Sequence, residues 1–297
     1  MEFTDMSTSS IGILWALVAM VGWGLGDYFI QRNVRVIGIW RTLIFINIIG
    51  TVILFPLVYK ELTQIQNFGD VLYPIITGFV MLVATLFDFE ALKQGKLAIM
   101  EPILSIELPI AAIFAVLIWS ESISWAGWLL IIAIFIGITL AATEHHAHLQ
   151  YHKRIFEKGV VYALITAVGM ALADLLAGIS SQKTSPLLTV YGIWVFILVI
   201  TVIYLAKHGE LKKIGPDFRA HPWALLAVGI FDTLGWIGFC YGAKSIPIAI
   251  TTAIGQSYIV ITILLGIFVN RELIKRHQII GVATTVISVI ALAWITG

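Results

Sequence analysis

The chain has 297 residues, of which 60% are hydrophobic and 12% charged, with a net charge of +1 and a mean hydropathy of +0.99. A soluble domain carries about 25% charged and roughly 45–50% apolar residues, so these proportions exclude an ordinary water-soluble fold. They predict an all-α membrane protein: only helices and closed barrels satisfy every backbone polar group in lipid, and the apolar runs have helix length without the short alternation of barrel strands.

Ten such runs follow in chain order, near 11–31, 38–59, 71–92, 98–119, 123–142, 158–181, 186–206, 222–243, 248–269 and 274–296. Residues 1–10 hold Glu2 and Asp5 but no Lys or Arg, unlike the basic start of a signal peptide, and only Gly297 follows the last run. No stretch between runs is long enough for a soluble domain, so the activity is expected to lie within the bilayer. Cys240, the sole cysteine, falls inside the eighth run, which excludes a disulfide framework, a zinc ribbon or an iron–sulfur site.

Fourteen of the 18 Lys and Arg residues fall in alternate connections between these runs. The opposite side holds only Lys60, Lys183 and Lys244, and Arg41 lies within a run. The positive-inside rule then places the rich side in the cytoplasm and both termini outside, for a multi-pass protein of the cell (inner) membrane.

The two halves repeat. Residues 16–27 align without gaps to 163–174, bringing Asp27 onto Asp174, and Gly38, Ile39 and Trp40 recur as Gly192, Ile193 and Trp194. Farther along, Gly78 meets Gly229, Lys93 meets Lys244 and Glu121 meets Glu272. Five helices per half is an odd number, so the second half enters the bilayer from the opposite face. The expected organisation is residues 1–143 as a first repeat, 144–157 as a polar His-containing linker, and 158–297 as a second, inverted repeat. Inverted repeats are characteristic of secondary transporters, with the site near the midplane between them.

Gly22, Trp23 and Gly24 with Asp27, Arg41 early in the second run, Ser120 with Glu121, Arg271 with Glu272, and the five-plus-five plan resemble the EamA group of the drug/metabolite transporter superfamily. The resemblance spans essentially the whole chain. It implies a basket of helices around a central cavity, with the fifth and tenth helices peripheral, and small-molecule transport without a stated substrate. Outward termini would be the reverse of many members.

Seven acids lie within the predicted helices: Asp27, Asp88, Glu90, Glu101, Glu107, Asp174 and Asp232; Arg41 is the only base. A charge at mid-bilayer costs about 2.5–3.5 kcal/mol even on the lenient insertion scale. These acids must therefore be protonated, hydrated in a cavity, paired with cations or close to an interface. Glu107 and Asp232 lie nearest the middle of their runs, and Asp27 and Asp174 are repeat-related; these four are the leading candidates to bind substrate or protons. Asp88 is intermediate, whereas Glu90 and Glu101 lie near helix ends, where solvation suffices. Arg41 suits an interfacial anchor or a partner for an acid as well as a substrate clamp.

Thr251, Gly255, Tyr258 and Thr262 recur at helical spacing and predict one polar face, with Gln256 beside it as the repeat mate of Ser105. Trp23 and Trp236, each one turn from an acid, offer aromatic surface to an organic cation or amphipathic metabolite, or simply pack. Glu121 and Glu272 precede the fifth and tenth helices and are expected to cap them.

Two motifs suggest other chemistry. Gly24, Gly26 and Asp27 match the GxGD string of intramembrane aspartyl proteases, which needs two carboxylates sharing a proton; that family's Tyr-Asp helix ahead of GxGD and its later Pro-Ala-Leu element are missing. His145, His146 and His148 with His152 form a compositional metal signal in the linker, where a solvated connector is the default. Neither HExxH nor GxSxG nor a nucleotide-binding loop occurs.

The expected function is secondary transport of a small metabolite, amino-acid-like compound or organic cation, coupled to protons or run as an exchanger. Lipid, a small molecule and protons are its expected partners; no nucleic acid, cofactor, resident metal or enzymatic activity is expected. The membrane-embedded protease is the alternative.

Overall fold

A computed structural model describes residues 7–63, 65, 67–94, 103–142, 158–258, 260–261 and 275–297. Within them regular structure is helical throughout: α1 Thr8–Ile37, α2 Ile39–Leu62, α3 Phe68–Gln94, α4 Glu107–Trp119, α5 Trp125–Ala142, α6 Lys158–Lys183, α7 Pro186–Lys207, α8 Ile214–Ala220, α9 Pro222–Ser245, α10 Ile248–Gly255 and α11 Arg276–Thr296, with a 3-10 turn at Leu211–Lys213. Seven of these are long and apolar enough to cross a membrane (α1, α2, α3, α6, α7, α9 and α11), and α4 and α5 are shorter apolar helices. The predicted runs at 98–119 and 248–269 are described only in part. Glu101, Thr262, Glu272 and the His-containing linker lie outside the described residues.

Local chemistry sets the boundaries. The Ser7 hydroxyl accepts the Ser10 N–H at 3.1 Å and starts α1. Between α1 and α2 there is a single residue, Gly38, at φ 90°, a conformation that residues with a Cβ rarely adopt. Ser185 accepts the Leu188 N–H at 3.0 Å ahead of Pro186, whose missing N–H is harmless at the first helical position. The short α8, in the connection between α7 and α9, was not anticipated from sequence, because its seven residues are too few for periodicity to register.

The helices pack in a definite set of pairs: chiefly α1 on α9, α3 on α6, α5 on α11 and α2 on α7. The α1–α9 contact is the tightest by chemistry, because glycines let the backbones touch. A Cβ on Gly22 would sit 2.5 Å from the Gly235 nitrogen, and one on Gly238 would sit 2.6 Å from the Ala19 nitrogen. Without a hydrophobic force between helices in lipid, such small-residue seams supply association through van der Waals contact.

On the outside the helices present apolar side chains, including Leu117 at 75% exposure, Ile287 at 66% and Trp294 at 84%. Water would not tolerate so continuous an apolar surface, and hydrocarbon does. α5 and α11 contact each other far more than the rest of the bundle, so they lie at its periphery.

Candidate functional site

The α1–α9 seam carries Asp27 and Asp232 to facing positions near the centre of the bundle. A Cβ on Gly26 would meet the Asp232 nitrogen at 3.4 Å, so the turn just before Asp27 lies against the turn holding Asp232. On the other side of the bundle, Asp174 of α6 and Glu107 at the start of α4 lie close enough for their charges to interact.

All four acids, with Asp88 of α3, line one cavity of about 110 Å³. Glu107, Asp174 and Asp232 are 7%, 1% and 9% exposed, so their charge balance is decided inside the protein. Three polar side chains following Pro247 satisfy acids from three other helices. Thr252 donates to Asp174 Oδ2 at 3.2 Å, Gln256 Nε2 donates to Glu107 Oε1 at 2.6 Å, and Tyr258 hydrogen-bonds Asp27. A neutral donor to a buried carboxyl lowers the cost of desolvation without cancelling charge.

Trp23 and Trp236 form an edge-to-face pair with ring centroids 5.2 Å apart, and Trp194 stands edge-on to Trp236 at 6.4 Å; all three border the cavity. Trp23 is seated against glycine, since a Cβ on Gly255 would lie 2.8 Å from its Cζ3. The indole of Trp194 is steered by a 3.1 Å hydrogen bond to the Thr233 hydroxyl.

Several expectations need correction. The polar face drawn through Thr251, Gly255 and Tyr258 is not one cavity wall. Thr251 and Gly255 pack against Gly242 and Trp23, whereas Gln256 and Tyr258 border the cavity and Thr252 reaches Asp174. The reason is that α10 ends at Gly255 in a turn, which breaks the assumed helical register. Glu121 is a cap, but not of the fifth helix. Its Oε1 accepts the Ile248 N–H at 2.6 Å and its Oε2 the Ala249 N–H at 3.1 Å, at the start of α10. Ser120, in a left-handed conformation at φ 56°, turns the chain aside, and Ser124 takes over α5 by accepting the Gly127 N–H at 3.0 Å. Burial pushes the Glu121 carboxyl above its ordinary range, with the two amides pulling it back.

Arg41 does not line the acidic cavity. Its Nη1 binds Asp217 Oδ2 at 2.8 Å and its Nε lies 3.8 Å from Glu210 Oε2, so it ties α2 to the connection that carries α8. Glu210 is held below the ordinary carboxylate range, first by its hydrogen bond from Lys213. Glu90 borders a separate groove with Trp40 and Tyr162.

Asn47, Thr166 and Trp194, which border the cavity, were missed in the sequence. Asn47 was visible as a lone amide in an apolar run, but nothing in the sequence told which way it faced.

At the far ends of the helices, toward the connections poor in Lys and Arg, side chains cross-link the bundle. Gln182 accepts the Trp119 indole N–H at 2.8 Å and donates to the Ala243 carbonyl at 2.8 Å, and Ser185 donates to Glu61. Together with Glu121 on α10, these contacts join α2 to α7 and α4 to α6, α9 and α10 at that end.

Comparison with known proteins gives a family. The model of the EamA-like transporter family matches residues 10–143 and again residues 157–294. The chain is 28% identical over 247 residues to the uncharacterized transporter YojE of Bacillus subtilis, an alignment covering 74% of this chain and 82% of that one. It is also 26% identical over 134 residues to the uncharacterized protein MJ1333.1 of Methanocaldococcus jannaschii, using 45% of this chain and 97% of that one. One crystal structure superposes with a TM-score of 0.75 at 12% identity, covering 96% of this chain and 97% of the other, a likeness of fold.

Proposed function

Because the chain belongs to the EamA-like transporter family, within the drug/metabolite transporter superfamily, and is a multi-pass integral membrane protein, we propose that it is a secondary transporter that exchanges a small molecule against protons at the acidic cavity. The proposal extends to ten spans arranged as two inverted repeats, 1–143 and 158–297, joined by the linker 144–157, in the cell membrane with both termini outside. The packing pairs support the repeat: exchanging α1 with α6 and α3 with α9 turns the α1–α9 contact into α6–α3, and leaves α2–α7 and α5–α11 as pairs that map onto themselves.

The observation that carries the reading is that Glu107 and Asp174, each from a different half, lie close together in the same cavity as Asp27 and Asp232. Two carboxyl groups this close repel each other when both are ionised, so a proton at the pair and an arriving ligand compete for the same place. Competition at one site is sufficient for exchange, since each partner binds best when the other is absent. The cross-links at the Lys- and Arg-poor end keep that end closed, and breaking them while the other end closes would complete an alternating cycle by rocking one repeat against the other. The protease alternative is not favoured, since the family is one of transporters.

Transport by purified protein in proteoliposomes, screened against pooled metabolites with and without an imposed pH gradient, tests the reading. Glu107→Gln and Asp232→Asn are expected to abolish gradient-driven movement while inserting normally, with exchange at equal pH retained. Normal gradient-driven transport by both variants would overturn the proton-coupled reading.

A further inference from the structure

The α1–α9 and α3–α6 seams correspond when the two halves are aligned, and they differ at one end. Gly22 against Gly235 in the first seam matches Gly169 against Ala84 in the second, where a Cβ on Gly169 would lie 2.9 Å from the Ala84 Cβ. Toward the Lys- and Arg-poor end the α1–α9 seam stays closed: Gly238 lies against Ala19, and Trp15 stacks on Tyr241 with ring centroids 4.7 Å apart. The same alignment sets Phe87 at the place of Gly238, Tyr162 at that of Trp15 and Glu90 at that of Tyr241. Phe87 carries a side chain where so close a contact needs glycine, and its ring centroid stands 5.8 Å from that of Tyr162. At the Lys- and Arg-rich end, α3, α6 and the start of α2 accordingly leave a groove of about 340 Å³, bordered by Trp40, Val83, Leu86, Phe87, Glu90 and Tyr162.

The groove lies on the outer side of the bundle. Phe79 and Val83 are exposed, and Leu86 and Glu90 continue their row at helical spacing on the same face of α3. The 27 residues of α3 make a rod of about 40 Å, against roughly 30 Å of hydrocarbon. Glu90, four residues before the helix ends, therefore stands where hydrocarbon gives way to headgroups. A groove at that depth is covered by lipid, and charge decides which lipid. Glu90 is the only charged residue among the described residues bordering it, and the rings of Trp40 and Tyr162 also favour a cation. Lys93, one turn farther on and exposed, is placed for a phosphate. An ammonium and a phosphate joined by two carbons match this pair of charges. Choline has the same two charges but no N–H to donate to a carboxylate, and a purely anionic headgroup brings the wrong sign to Glu90.

We infer that the groove between α2, α3 and α6 is a docking site for an ethanolamine phospholipid, its ammonium received by Glu90 beside Trp40 and Tyr162, its phosphate by Lys93, and an acyl chain laid along Val83, Leu86 and Phe87. The inference is independent of the transport reading and needs only the membrane around the bundle.

The test is lipid binding to the purified full-length protein, counted by native mass spectrometry with ethanolamine, choline and glycerol phospholipids of identical acyl chains. The ethanolamine lipid should bind about tenfold more tightly than the choline lipid. Glu90→Gln should remove that preference by weakening the ethanolamine lipid alone. Leu86→Trp, which fills the apolar part of the groove and leaves the charges in place, should weaken the ethanolamine lipid about tenfold as well. Glycerophosphoethanolamine, the same headgroup without acyl chains, should not displace it. Equal binding of ethanolamine and choline lipids by the wild type, or a preference that survives both substitutions, would overturn the inference. Tighter binding of the glycerol phospholipid would assign the contact to the basic end of the bundle instead, and displacement by glycerophosphoethanolamine would remove the acyl chain from the groove; either result also overturns it.

Discussion

The carboxylate of Glu121, in the connection after α4, holds the backbone N–H groups of Ile248 and Ala249 at 2.6 and 3.1 Å, so a residue of the first half closes the helix start of the second. The contact serves two purposes at once. It satisfies amides that Pro247 leaves at the head of α10, and it fixes the segment whose Thr252 and Gln256 reach the cavity acids.

Removal of this cap by Glu121→Ala should lower stability by about 1 kcal/mol at neutral pH. Its pH dependence has a definite sign. Burial raises the Glu121 pKa in the folded protein, so between the unfolded value, about 4.3, and the raised folded value the native state binds more protons than the unfolded one. Stability from this titration is present below the unfolded pKa and is lost as pH rises through the folded pKa. The unfolding midpoint of the wild type relative to Glu121→Gln should therefore decline as pH is raised from about 4 toward neutrality. A difference that is flat, or that grows over this interval, contradicts the assignment.

The α1–α9 seam should be intolerant of a single methyl group. In Gly22→Ala the new Cβ would sit 2.5 Å from the Gly235 nitrogen, a backbone atom that cannot swing away, so the helices must separate. Overpacking of this kind costs about 1–3 kcal/mol. Gly215→Ala in α8, where nothing lies within 4 Å of the added Cβ, is the control and should be near neutral. Thermal unfolding in detergent compares the two, and equal midpoints would mean that the seam is not what holds Asp27 against Asp232.

Orientation can be measured at the C-terminus. With Arg32, Arg35, Lys207, Lys212, Lys213 and Arg219 on one side and only Lys60, Lys183 and Lys244 on the other, a reporter fused after Gly297 should be active only outside the cytoplasm. Activity of a cytoplasmic reporter at that position would reverse the proposed topology.

The sequence by itself determined the membrane class, most helix positions and the presence of acids inside the spans. Each of these is a local, one-dimensional property: an apolar run long enough to span, and a carboxylate inside it that cannot be left bare. Asp27, Glu107, Asp174 and Asp232 were legible because a charge in such a run is conspicuous whatever surrounds it. Only the tertiary structure decided partnerships. Arg41, the one base within a run, turned away from the acids to Asp217 on a helix too short to be foreseen. Glu121 capped α10 instead of α5 because one left-handed residue, Ser120, redirected the chain. Asn47 and Thr166 drew no notice, since an amide or hydroxyl can always satisfy itself on its own helix, as Thr42 does with the Gly38 carbonyl. Whether such a group borders a cavity depends on which other helices come near it, and that is fixed only when the bundle has packed.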